Sequence, residues 1–159
     1  NGEYMTVEKN IKTGHRHYTP VCANISRDGK WGLSVNFLRI YDFRKGYGYC
    51  NEKDPYFDIA QPENDGVFLV DMETGKSKLI ISIADVLKRF PNELLSDEKF
   101  VVNHITFSPS GERFLFLIRN FPKPDAVGAG WLTSAITSDL EGNMYELIHV
   151  LNEVMAVQE

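Results

Sequence analysis

The sequence predicts an all-β fold, and three observations carry that expectation. Apolar residues come in short alternating or clustered runs bounded by Gly, Asp, Asn and Pro. Helical periodicity is sparse, strongest over Ser82 to Phe90. Two hairpin signatures, turning at Gly29 and Gly111, recur 82 positions apart, and a second pair of matching strand and turn phrases follows them. Composition agrees: of 159 residues, 43% are hydrophobic and 25% charged, the proportions of a folded chain with a core to bury.

Residues 1–18 read as an outer strand or connector, with Tyr4, Met5 and Val7 as its apolar positions. Cys22 to Ile25 and Gly32 to Ile40 then flank Ser26-Arg27-Asp28-Gly29-Lys30, where Asp-Gly supplies the positive φ of a tight hairpin. Tyr41 to Asp65 is a long connection. It is followed by Val67 to Asp71, a turn at Gly75 and a strand to Ile80. Ser82 to Phe90 is the predicted helix: Ser82 is its N-cap, Asp85 completes a capping box, Pro91 ends it, and Ile83, Val86, Leu87 and Phe90 share one face. Ile105 to Phe107 and Phe114 to Ile118 flank the second hairpin turn, Ser108-Pro109-Ser110-Gly111-Glu112. Ala135 to Asp139, a turn at Gly142 and a strand to Ile148 repeat the earlier phrase. Residues 150–159 read as a tail or the start of a further unit.

The repeated unit is therefore four antiparallel strands with a connection of variable length in its middle, the design of a propeller blade. One unit is expected over 19–82 and one over 102–149, with 83–101 as a short helical insertion between them. The phrases Ile25-Ser-Arg-Asp-Gly-Lys, Thr106-Phe-Ser-Pro-Ser-Gly-Glu and Val70-Asp-Met-Glu-Thr-Gly-Lys resemble the turns of TolB-type (WD40-like) bacterial β-propellers, and the segment around Tyr47-Gly-Tyr is loosely similar to oligogalacturonate-lyase-like propellers. The resemblance implies an incomplete propeller of about two blades. The remaining blades would come from further sequence or from other copies of the chain.

In such a fold the loops at one end collect ligands, and this chain invests heavily there. Tyr41 to Asp65 runs 25 residues with six aromatic rings, too apolar for disorder. One reading is a lid whose rings pack on one another. The other is a ligand face, with Tyr47 and Tyr49 offering rings to a sugar and Arg44 offering directed hydrogen bonds. Asn103 and His104 lie where an innermost strand starts, and Arg119 closes the neighbouring strand at the same end. These six, Arg44, Tyr47, Tyr49, Asn103, His104 and Arg119, are the expected ligand-binding residues for a carbohydrate or peptide. In the segment from Asn120 to Trp131, Trp131 is read as an anchor for the following strand or as a further contact residue.

Of four histidines, His15 and His17 lie two apart in a polar run that reads as an exposed connector, and with His104 they are the weak candidates for a metal site. His104 is also the candidate general base. The lyase resemblance implies a divalent metal such as Mn held by several histidines and a glutamine, with an arginine neutralising a uronate carboxylate; under the binding reading no cofactor is expected. A purely structural interaction propeller is the third reading.

Composition removes other classes. A net charge of −5 with no basic stripe argues against nucleic acid as a partner. No apolar stretch approaches the roughly 18 residues of a membrane-spanning helix, and no basic-then-apolar leader stands at Asn1, which leaves the compartment open. Cys22 and Cys50 lack metal or redox spacing and read as buried thiols, or as a single bridge in an oxidising compartment. Asn24-Ile25-Ser26 fits a glycosylation sequon but falls on a strand.

Overall fold

A computed structural model describes residues 4–91, 94, 98–121 and 131–150, without the side chains of His149 and Val150. The described chain is mainly β with two short helices. Strands β1 (Met5–Lys9) and β2 (Arg16–Pro20) pair as a hairpin. Strands β3 (Asn24–Ile25), β4 (Trp31–Ser34), β5 (Gly66–Asp71) and β6 (Ser77–Ser82) form one four-stranded antiparallel sheet in chain order. Strands β7 (Phe100–Phe107), β8 (Arg113–Asn120), β9 (Thr133–Asp139) and β10 (Met144–Val150) form a second with the same order. Both sheets are open.

The repeat seen in the sequence is a repeat of hydrogen bonds. In the first hairpin Gly29 N donates to Ser26 O and Ser26 N to Trp31 O; in the second, Gly111 N donates to Ser108 O and Ser108 N to Arg113 O. The later turns match as well: Asp71 Oδ1 accepts from Glu73 and Thr74 N–H, and Asp139 Oδ1 accepts from Glu141 and Asn143 N–H. Asx turns of this kind form because a short carboxylate reaches its own backbone two to four residues on.

Helix α2 (Ile83–Arg89) forms as its residues dictate. Ser82 Oγ accepts from Asp85 N, the Asp85 carboxylate accepts from Ser82 N, and Ile83, Val86 and Leu87 are buried. It lies between the sheets, whose facing residues make one core: Leu33, Val67 and Ile81 from the first, Val102, Phe116, Ile118 and Ile136 from the second.

Three expectations about the elements are corrected. The strand expected over Gly32 to Ile40 stops at Ser34, and helix α1 (Phe37–Phe43) follows, because the Asn36 carboxamide oxygen accepts from Leu38 N and Arg39 N and caps it. The long connection thus begins inside a helix and joins β4 to β5 over residues 35–65. Of the two readings of residues 1–18, outer strand or connector, His17 lies in strand β2, and the first four-stranded sheet starts at Asn24 rather than at residue 19. The second sheet starts at Phe100, two residues before the expected boundary, with Phe100 and Val101 paired to Asn120 and Arg119 and a bulge further on between Asn103 and Thr106. Residues 151–159 and 122–130, the expected tail and most of the loop before Trp131, lie outside the described residues.

Candidate functional site

The connection over residues 35–65 is ordered by a buried charge. Arg39, only 1% exposed, uses all five of its N–H groups. Nε donates to Phe100 O (2.6 Å), Nη1 to Asp54 Oδ2 (3.2 Å) and Tyr56 O (3.0 Å), and Nη2 to Ile59 O (3.0 Å) and Ala60 O (2.9 Å). Asn36 Nδ2 donates to both Asp54 and Asp65 at 2.9 Å, which ties the start of α1 to the same carboxylates. Burial pushes the Asp65 carboxyl above the usual range, with Asn36 and Arg39 opposing the shift. Nothing in the local pattern around Arg39 marks it as buried. The cluster became visible only in three dimensions.

This staple holds α1 across β7, and between them lies a cavity of about 210 Å³. Phe37, Ile40 and Phe43 from α1 form its apolar wall; Arg44 and Tyr47 follow on the next turn of chain, and Asn103, His104 and Arg119 come from β7 and β8. Five of the six residues expected to bind ligand therefore line one cavity, although up to 75 positions separate Arg44 from Arg119.

The chain reaches this shape through Gly46 and Gly48, both at positive φ (92° and 71°). A Cβ on Gly48 would run into Phe37 O, and Tyr49 N donates to that same carbonyl (3.1 Å), so the backbone doubles back onto α1 where no side chain fits. Tyr49 is the sixth expected residue, and it does not line the cavity. Its ring is stacked on Tyr4 (3.8 Å) and Phe37 (4.8 Å). The Tyr47 ring is 51% exposed, but the Arg44 guanidinium sits 4.5 Å over its centroid. The paired sugar platform expected from Tyr47 and Tyr49 is thus not assembled: one ring serves packing and the other carries a cation.

Across the cavity the polar groups are under-used. Asn103 is buried (7% exposed) with Oδ1 lacking any hydrogen-bond partner, and Arg119 Nε is buried and likewise without one. His104, in the bulge, has φ of 47°, and no other described non-glycine residue has a positive φ. Such strain and unpaired atoms persist where the surrounding structure holds them, and they concentrate at working sites. Desolvation, and then the charge of Arg119, lowers the His104 pKa and favours neutral imidazole. Desolvation, and then repulsion from Arg44, lowers that of Arg119. No Asp or Glu among the described residues lines the cavity, so its charge is positive.

The three histidines considered for a metal are not brought together. His15 and His17 line a separate groove beside Glu8, and His17 Nε2 is 2.9 Å from Met72 O. Among the described residues no three His, Cys, Asp or Glu side chains converge on a common point. Both cysteines are free; Cys22 is half-buried against Met72, whereas Cys50 is exposed, contrary to the expectation of two buried thiols. The Trp131 ring packs on that of Phe43 (5.4 Å). No described helix is long and apolar enough to cross a membrane. No family model, curated protein or solved structure matches the chain, so the site is read from its own chemistry.

Proposed function

We propose that the chain is a ligand-binding module built from two consecutive blades of a TolB-type β-propeller, taking a carbohydrate or peptide at the cavity between α1 and β7. The observation that carries the functional half is the meeting of Arg44, Tyr47, Asn103, His104 and Arg119 around one cavity with Asn103 Oδ1 and Arg119 Nε unpaired. Buried polar atoms without partners cost stability, and a ligand that supplies the partners recovers it. The propeller half is supported by two four-stranded meanders with matching turns, packed face to face with β3 beside β7. The remaining blades come from further sequence or from other copies of the chain.

A second reading keeps His104 as a general base in a metal-assisted lyase. What favours it is the position of His104 on the cavity near Arg119, where desolvation and that charge lower its pKa. It requires metal ligands beyond His104, and loading the protein with Mn and assaying unsaturated uronate products decides it.

Calorimetry against a panel of short oligosaccharides and peptides tests the binding reading. Arg119→Gln and Tyr47→Ala should weaken any ligand found; ligands bound equally by both variants and by the wild type count against this cavity. Sedimentation addresses the architecture, since a stable 18.1 kDa monomer with cooperative unfolding would argue against an incomplete propeller.

A further inference from the structure

We propose that the cavity recognises an acidic residue of a peptide, whose carboxylate is held by Arg119 while an adjacent backbone N–H of the same peptide donates to Asn103 Oδ1. This rests on the ligand-binding reading above and narrows it.

Charge is the first argument. Arg44 and Arg119 are the charged side chains around the cavity, and no described carboxylate joins them there. A half-buried guanidinium with a free Nε and a second guanidinium nearby is an arrangement that an anion completes, and a planar carboxylate matches the guanidinium fork. Asn103 narrows the choice. Its unpaired atom is an acceptor in a buried side chain, so the ligand must bring a donor close to its anionic group. A peptide has that pairing in every acidic residue, where a backbone N–H lies a few bonds from the carboxylate.

Ring geometry and size point the same way. A pyranose ring is held by a free aromatic face, yet Tyr49 is sandwiched between Tyr4 and Phe37, and Arg44 covers one face of Tyr47. A volume of about 210 Å³ admits one side chain and its backbone rather than an extended oligosaccharide. The apolar wall of Phe37, Ile40 and Phe43 suits the methylenes of a glutamate stem.

The test uses the full chain and four probes: N-acetyl-Gly-Glu-Gly-amide, its Gln counterpart, a neutral oligosaccharide and an oligogalacturonate, each titrated while amide chemical shifts of Asn103, His104 and Arg119 are followed. The Glu peptide should bind about tenfold or more tightly than the Gln peptide, a ratio that shrinks as salt rises. Arg119→Gln should erase that preference. Asn103→Asp should abolish binding by placing a carboxylate beside Arg119, and its near-isosteric side chain guards against simple misfolding. Equal binding of the Glu and Gln peptides, or binding of a saccharide but of neither peptide, overturns this inference while leaving the module reading standing. If no probe moves those three residues, both fail.

Discussion

Asn24 Oδ1 on β3 accepts a hydrogen bond of 3.0 Å from the backbone N–H of Phe107 on β7. The two residues occupy nearly equivalent places in successive repeats, just before their matching turns, so one side-chain bond joins the first strands of the two sheets. Asn24→Ala would strand a backbone donor and should cost about 1 to 2 kcal/mol, read as a lowered urea midpoint.

Arg39 supports the site without touching it. Arg39→Met leaves the Asp54 and Asp65 carboxylates buried without their counter-charge, and should destabilise by about 3 to 5 kcal/mol in denaturant titration. Arg39→Lys should rescue little of this, because an ammonium cannot reproduce five fixed N–H donors. Asp65 supplies a pH signature. Its folded pKa lies above the unfolded value of about 3.9, so its ionisation removes stability as pH rises through that window, and more steeply in Arg39→Met, where an opposing charge is gone.

His104 is held at φ of 47°, a conformation glycine adopts without penalty. His104→Gly should therefore leave stability unchanged or raise it by about 1 kcal/mol, while His104→Val should lower it. Thermal unfolding of the two variants checks the order.

The His104 imidazole should titrate below its ordinary value of about 6.5 when followed by NMR. The folded form holds the proton less tightly than the unfolded chain, so the stability His104 contributes is present above the unfolded pKa and is lost as pH falls from there through the lower folded pKa. Arg119→Gln removes one of the two causes and should move the pKa back upward.

Two glycines of the repeat carry different burdens. At Gly111 (φ 77°) an added Cβ meets nothing closer than Ser26 Cβ at 4.0 Å, so Gly111→Ala should cost about 1 kcal/mol of backbone strain. At Gly142 (φ 91°) the same atom would run into Ile80 O on β6, the opposite sheet. Gly142→Ala should cost about 3 kcal/mol, because the sheets must separate as well. Equal costs would show that the turn does not seat against β6.

The parts legible in the sequence are those set by neighbours along the chain. Alternation gave the strands, Asp-Gly and Ser-Gly the hairpins, Ser82 and Asp85 the cap of α2, because each rests on hydrogen bonds spanning only a few residues. The repeat was legible for the same reason. Helix α1 was missed because Phe37 to Phe43 suits a strand as readily as a helix, and Asn36 alone tips the balance. The sequence places Arg44 and Tyr47 in the long connection and Asn103, His104 and Arg119 at strand ends, and the five line one cavity. What only the tertiary structure decided is how each is used. Tyr49 goes to packing on Tyr4, 45 positions away, Arg39 to a buried staple whose bonds span 15 to 61 positions, and Arg44 to the face of Tyr47. The unpaired Asn103 Oδ1 and Arg119 Nε are likewise products of packing: whether a polar atom finds a partner depends on what the fold brings within 3.5 Å of it, which no local pattern specifies.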